Sequence, residues 1–124
     1  MVQFKSRLDY ISLREFLAKK SVRTIANNTM AQLRTIDGET HVEIRYHGNL
    51  IGAIGENDVF VSNKGWGTST TRDRINQILK GNGINYSTGQ KNYAQLLCGP
   101  NREIVRDDFH SAYFKREDSS WTIV

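Results

Sequence analysis

The segment MAQLRTIDGETHVEIRYHGNLIGAIGENDVFV, residues 30–61, carries the strongest structural signal in the chain. Around Val42, Ile44 and Tyr46, apolar and charged residues alternate with the two-residue period of a half-buried strand. Asp37-Gly38 separates this run from the preceding one, and Asp-Gly between two alternating runs is the strongest short-range hairpin signal. The segment therefore predicts antiparallel strands joined by a tight turn.

Further turns extend this pattern along the chain. His47-Gly48-Asn49 precedes a predicted strand over 50–54, and Gly55-Glu56-Asn57-Asp58 precedes another over 59–61. Gly and Asn in such connections accept the backbone angles that tight turns require. With a strand over 23–26 added, the region predicts an antiparallel meander.

Two helices are predicted, each from a capping box. In Ser12-Leu13-Arg14-Glu15 the serine precedes the glutamate by three residues, so the first helix is predicted to begin at this serine. Lys19 and Lys20 are predicted to end it, because positive charge is favourable at a helix C-terminus. Thr70 and Asp73 have the same spacing, and the second helix is predicted over 71–80.

The last third of the chain predicts more strands. The runs 93–97 and 103–106 flank a turn at Cys98-Gly99-Pro100-Asn101, which indicates a hairpin. Aromatic and aliphatic residues then favour strands within 109–124. A short helix over 107–114 is the alternative at this point.

Size and composition fit one α+β domain over residues 1–124. The chain has a mass of 14.2 kDa, is 38% hydrophobic and 24% charged, and contains a single proline. We divide it into an N-terminal helix region (1–22), antiparallel strands (23–64), a loop and helix (65–83), and C-terminal strands or a short helix (84–124).

The charge and cysteine content limit the partners and the compartment. Seventeen Lys and Arg against thirteen Asp and Glu give a net charge of +4, which suits phosphate-bearing partners or is simply a solvated basic surface. One cysteine excludes an internal disulfide and a thiolate-rich metal site. Charged residues interrupt the start and no apolar run could cross a bilayer, so we expect a soluble protein of a reducing cytosol.

The sequence lacks the usual patterns of catalysis. His41, His47 and His110 are not spaced as metal ligands, and no phosphate-loop motif is present, so we expect no metal and no cofactor. Asp107 and Asp108 are adjacent, and on a strand such neighbours point to opposite faces, which argues against a catalytic carboxylate pair. We therefore expect a protein that is not an enzyme.

Two stretches favour binding instead. The glycine-bearing loop at 63–71 runs into the start of the second helix, where free amides favour an anion, although capping by Thr70 explains the same residues. Trp66 in this loop is either a stacking platform or a hydrophobic plug. Arg102, Arg106 and Asp107 form a candidate recognition group for phosphates and ribose hydroxyls, with a surface salt bridge as the alternative.

Three runs carry a resemblance to a known family. They are residues 25–29, 42–49 and, most specific, the text NKGWGTSTTRDRIN at 63–76. Over residues 23–98 this pattern resembles small bacteriophage proteins, and it is most similar to the phage Thoeris anti-defence proteins of the first type.

The resemblance implies a non-enzymatic sponge of the host bacterial cytoplasm. Such a protein captures the cyclic ADP-ribose isomer made by bacterial TIR-domain sensors, so that the downstream effector is not switched on. The resemblance also implies a homo-oligomer with ligand recesses at subunit contacts and a second site for cyclic oligonucleotides. It carries ligand-binding roles to Arg23, Asn92, Arg106 and Asp107.

Two other functions remain open from the sequence. The charge, together with aromatic residues near basic ones, is also typical of a nucleic-acid-binding or nuclease-inhibiting phage module. A structural phage protein that binds neither ligand class is the third possibility. For the sponge, the predicted ligand-binding residues are Arg23, Trp66, Asn92, Tyr93, Arg102, Arg106, Asp107 and Phe109.

Overall fold

A computed structural model describes residues 1–124 as two helices and ten strands, and it confirms the predicted α+β class. The elements in chain order are α1 (Tyr10–Phe16), β1 (Val22–Ala26), β2 (Thr29–Ile36), β3 (Glu39–Tyr46), β4 (Asn49–Ile54), β5 (Asp58–Ser62), α2 (Ser69–Gly81), β6 (Ser87–Lys91), β7 (Ala94–Cys98), β8 (Ile104–Arg106), β9 (Ser111–Glu117) and β10 (Ser120–Ile123).

The strands form two antiparallel sheets. Seven strands pair in the order β1-β2-β3-β4-β5-β9-β10, and β6-β7-β8 form a smaller sheet. The predicted hairpin turns set the register of the large sheet: Asp37-Gly38 and His47-Gly48 both have positive φ at their two central positions. This is the two-residue turn whose twist matches paired strands. The meander predicted from β1 to β5 is therefore confirmed.

One face of the large sheet packs against the helices and forms the core. Along β3, Val42 and Ile44 lie in the core, while the alternating residues face the other side of the sheet. Ile78 of α2 approaches β4 so closely that a Cβ at Gly52 would lie 2.8 Å from its Cδ1. The small sheet adds Leu97, which is fully buried.

Both helices begin earlier than predicted. Asp9 caps α1 by accepting hydrogen bonds from the Ser12 amide at 3.3 Å and the Ser12 hydroxyl at 2.7 Å, so Ser12 lies inside the helix. The helix also ends before Lys19-Lys20, which lie outside it. Thr68, not Thr70, caps α2, because its hydroxyl accepts from the amide of Thr71. Neither helix is long and apolar enough to cross a membrane.

The last third is built from strands alone. The predicted hairpin is present as β7 and β8, and β9 and β10 complete the large sheet with no helix at 107–114. Strand β6 was not predicted, because its sequence STGQK shows no apolar alternation. The side-chain amide of Asn76 on α2 holds it in place: the Thr88 amide donates to Asn76 Oδ1 at 2.7 Å, and Asn76 Nδ2 donates to the Thr88 carbonyl at 3.2 Å.

Candidate ligand-binding site

One cavity of the protein lies beside the N-terminus of α2. It has a volume of about 300 Å³, at the lower end of the range for small-molecule sites, and we call it the Trp66 recess. The turn between β3 and β4 forms one side and the loop before α2 forms the other. Among the residues that line it are Tyr46, His47, Asn49, Asn63, Trp66 and Thr70.

The loop that presents Trp66 is fixed by a buried asparagine. Asn63 donates from Nδ2 to the Phe109 carbonyl at 2.8 Å and accepts from the Gly65 amide at 2.9 Å. Lys64 and Gly65 both have positive φ, which turns the chain outward. As a result the Trp66 side chain is held at the rim of the recess with 59% of the residue exposed. Trp66 is therefore not a hydrophobic plug.

The start of α2 supplies hydrogen-bonding groups to the same recess. Thr68 caps the amide of Thr71, but the amides of Ser69 and Thr70 have no hydrogen-bond partner in the protein. The Tyr46 hydroxyl donates to Thr70 Oγ1 at 3.2 Å. The cap is therefore Thr68 and not the predicted Thr70, and the free amides leave the anion site of this loop a prediction.

A buried arginine lies directly behind this wall. Arg74 is 4% exposed, and its guanidinium donates to Thr29 Oγ1 at 2.8 Å, to the Asn27 carbonyl at 3.0 Å and to the Thr70 carbonyl at 3.1 Å. Its Cζ lies 3.9 Å from the centroid of the Tyr46 ring. No carboxylate forms an ion pair with it. Sequence reasoning missed this residue, because nothing in a polar helix sequence marks one arginine as buried.

The second cavity is larger and lies where two hairpin turns meet β9. It has a volume of about 570 Å³, and we call it the His41 groove. His41 Nε2 lies 3.0 Å from both carboxylate oxygens of Asp58, and the Tyr113 hydroxyl donates to Asp58 Oδ2 at 2.6 Å. This hydrogen bond, followed by burial and the charges of Asp58 and Glu39, raises the pKa of Tyr113 to about 12.

The His41 groove does not suit a phosphate. Four carboxylates line it against two cations, Lys115 and Arg116. Arg116 is already engaged, since it donates to the Glu56 carbonyl at 2.8 Å and to Asn57 Oδ1 at 3.1 Å. No sequence pattern predicted the pair of His41 and Asp58, because the two residues come together only through the pairing of three strands.

The structure separates several of the predicted ligand-binding residues. Asn92 and Tyr93 form the turn between β6 and β7, where Tyr93 is 94% exposed. Arg102 lies in the turn at the opposite end of β7, and Asp107 is exposed just after β8. Within one chain these residues do not enclose a common cavity around the late hairpin.

The remaining predicted residues have structural contacts. Arg23 donates to the Phe16 carbonyl at 2.8 Å and stacks on its ring, which docks the end of α1. Phe109 is 2% exposed and belongs to the core, so its ring offers no face to a ligand. Arg106 donates weakly to the Val124 carbonyl at 3.4 Å, while its Nη1 is buried without any partner. Among the predicted ligand-binding residues, this nitrogen of Arg106 is the only buried side-chain donor without a hydrogen-bond partner, as expected where a ligand completes a site.

The molecule as a whole is a small α+β domain with an antiparallel sheet of seven strands and a smaller one of three. Residues 5–118 match the family described as Kyanoviridae Gp96 protein, so the chain belongs to this family of bacteriophage proteins. The predicted origin in a family of small phage proteins is thereby confirmed. No curated protein and no solved structure matches the chain.

Proposed function

We propose that this phage protein binds a cyclic ADP-ribose-type signalling nucleotide in the host cytoplasm and holds it without cleaving it, which would block activation of the Thoeris effector. The observation that supports binding is the Trp66 recess. The stretch 63–76, on which the resemblance to the anti-defence family mainly rests, is the same stretch that folds into the loop and first turns beside this recess.

The groups around the recess match the parts of such a ligand. The exposed indole of Trp66 offers a face for the purine. The free amide of Thr70 offers a donor for a phosphate, and the side chain of Asn49 can pair with ribose hydroxyls. No carboxylate lines the recess, although His47 does, and we propose that the ligand is held there without being cleaved.

The recess covers only part of a ligand that contains a purine, two riboses and two phosphates. A sponge that competes with a signalling receptor needs nanomolar affinity, about −12 kcal/mol. One stacked base and two charge-assisted contacts contribute roughly 1 to 3 kcal/mol each. We therefore extend the proposal to a homo-oligomer in which a second copy completes the site, and Arg106 with its unmet Nη1 is the residue we expect it to contribute.

A panel of nucleotides tests this function on the purified chain. Thermal shift and calorimetry compare cyclic ADP-ribose isomers with linear ADP-ribose and cyclic dinucleotides. Saturating ligand at 100 times its dissociation constant should stabilise the fold by about 2.7 kcal/mol. Mass spectrometry of the fraction released by heat should find the nucleotide unchanged, and Arg106→Ala should abolish capture. A chemically altered nucleotide, or no shift with any member of the panel, would refute sequestration.

A nucleic-acid-binding module is the second candidate, and one observation favours it. Tyr93 is 94% exposed at the tip of the hairpin between β6 and β7, two residues from Lys91, as in sites where bases stack beside basic residues. Binding to DNA or RNA would weaken steeply with salt and would require Tyr93. A pocketed small ligand would respond shallowly to salt and would not require it.

A further inference from the structure

We infer that strand β10 is a dimerisation edge, at which two copies of this chain pair antiparallel strands about a two-fold axis and join their seven-stranded sheets into one. The partner is thus a second copy of the chain itself. The inference goes beyond the proposed function, because this dimer requires no nucleotide and forms at a strand that does not line the Trp66 recess.

Three of the four sheet edges carry devices that hinder strand addition. Beside β1 the amide of Lys5 donates to the Ile25 carbonyl at 2.8 Å, and a bulge interrupts the pairing of β1 with β2. A side chain of α2 occupies the border of β6. Strand β8 has only three residues, shifts register against β7 and lies between charged residues at 102–103 and 107–108. Covered borders, bulges, short strands and charges are the usual means by which natural sheets avoid pairing with another chain.

Strand β10, with the sequence SWTI, carries no charge, no proline and no bulge. It is the last strand of the large sheet, so one of its borders has no neighbouring strand. The Val124 amide donates to the Tyr113 carbonyl at 2.9 Å, in register with the pairing of β10 and β9. Because such bonds alternate along an antiparallel pair, Thr122 also bonds toward β9, whereas Trp121 and Ile123 direct their N–H and C=O groups outward. Four backbone groups at this border are therefore free to pair with another strand.

The sequence of β10 is complementary to itself about Thr122. In a two-fold antiparallel pair, residues that direct their backbone groups across the border must face one another. With Thr122 opposite its counterpart, Trp121 faces Ile123 of the partner subunit and Ile123 faces the partner's Trp121. All four outward groups of each copy then have a partner, which gives four hydrogen bonds across the axis. Shifting the register by two residues pairs only one outward residue of β10.

The side chains of β10 favour the same pairing. Trp121 and Ile123 lie on the core side of the sheet but are only partly buried at its border. In this register the aromatic ring of each copy lies opposite a β-branched side chain, a cross-strand pair that stabilises sheets. Thr122 is exposed on the other side, and on the axis it meets a second threonine in a pair whose side chains are close. The border therefore fits another β10 without opposing any two like charges.

Sedimentation equilibrium of the full chain over a range of concentrations should show a monomer–dimer equilibrium and give its dissociation constant. Thr122→Lys places two ammonium groups opposite each other at the axis and should raise this constant at least fivefold. The matched control is Thr24→Lys, the same change at an exposed threonine of the protected edge strand β1, which should alter the constant less than twofold. A monomer at every concentration, or the same constant for wild type and Thr122→Lys, would overturn the inference.

Two further measurements keep the test decisive if Thr122→Lys is poorly folded. A mixture of Thr122→Lys and Thr122→Glu chains should form heterodimers, because opposite charges then meet at the axis. In a Cys98→Ser background, Thr122→Cys should form a disulfide between two chains on oxidation, since opposed Cα atoms in such a pair lie about 4.5 Å apart. Thr24→Cys in the same background should stay monomeric. Failure of the Thr122→Cys chains to cross-link would overturn the inference.

The outcomes also separate this inference from the proposed function. A monomeric chain that captures a cyclic nucleotide refutes the β10 dimer alone. A dimer that captures no nucleotide refutes the proposed function alone.

Discussion

The Trp66 recess and the His41 groove differ in how their polar groups are satisfied. In the groove Asp58 accepts from Tyr113 and is paired with His41 on its other side, so the charged and polar groups at its centre satisfy one another. In the recess the amide of Thr70 has no hydrogen-bond partner in the protein, while Arg74 behind the wall donates to three oxygens. The groove has nearly twice the volume of the recess, but the free amide at a helix start makes the recess the better candidate for an anionic ligand. Cavity size alone therefore does not choose between the two.

The largest expected effect is on the affinity for the cyclic nucleotide, and it tests which of the two cavities binds this ligand. Trp66→Ala should raise the dissociation constant of the cyclic nucleotide roughly 5- to 150-fold, because base stacking on an aromatic face is worth about 1 to 3 kcal/mol. Tyr113→Phe removes a hydroxyl from the groove and should leave the constant within twofold. Calorimetry on both variants measures this. A loss of capture in Tyr113→Phe alone would assign the ligand to the groove.

Two glycine substitutions, one beside each cavity, test how rigidly the neighbouring side chains are held, measured as the loss of unfolding free energy. A Cβ at Gly55 would collide with the Asp58 carboxylate and lie 2.8 Å from His41 Nε2, so Gly55→Ala must push this pair apart and should cost about 1 to 3 kcal/mol of unfolding free energy. A Cβ at Gly67 would lie 2.6 Å from Gln95 Nε2, at the end of a flexible side chain that is held by a hydrogen bond from Arg72 to its Oε1 at 3.0 Å. Gly67→Ala should therefore cost less than about 1 kcal/mol. Urea unfolding measures the loss of unfolding free energy in both variants. Equal losses would contradict the conclusion that the polar groups of the His41 groove are held rigidly by their mutual hydrogen bonds.

The helix cap beside the recess gives a smaller effect. Thr68→Ala removes the hydroxyl that accepts from the Thr71 amide and should cost about 1 kcal/mol of unfolding free energy. Thr68→Ser keeps the hydroxyl acceptor and should cost at most a few tenths of a kcal/mol of unfolding free energy. Urea unfolding of the three proteins checks this. If Thr68→Ala were as stable as wild type, the wall of the recess would not depend on its cap.

The last effect is confined to alkaline pH. The folded pKa of Tyr113 is about 12 and the unfolded value is 10.0, so the folded protein holds its proton more tightly. The hydrogen bond to Asp58 thus stabilises the fold fully below pH 10, and this contribution is lost as the pH rises from 10 to 12. Ultraviolet titration should find one tyrosine that ionises late, and Asp58→Ala should return it toward 10. If a tyrosine still ionised near pH 12 in Asp58→Ala, the raised pKa would belong to a tyrosine other than Tyr113.

Local signals predicted most of the fold. The turns at Asp37-Gly38 and His47-Gly48 fixed the meander because their residues accept positive φ. The helix starts were wrong by two or three residues, because Asp9 and Thr68 are good caps that precede the predicted ones. Strand β6 has no periodicity of its own and depends on a contact from α2.

The candidate site was predictable only where it is contiguous in the chain. Trp66 and the start of α2 lie within one loop, so the sequence identified them. The burial of Arg74 and of Phe109 is a tertiary property, and neither residue type nor spacing reveals it. For the same reason the aromatic face expected from Phe109 is absent from the surface.

Asn76 has a consequence for how the protein associates with copies of itself. The Thr88 amide and carbonyl point away from β7, and a single side chain from α2 occupies both, in the manner of a neighbouring strand. A strand added along this border of the small sheet would have to displace the Asn76 side chain at Thr88, so the contact from α2 makes edge-to-edge pairing with a second copy less favourable there.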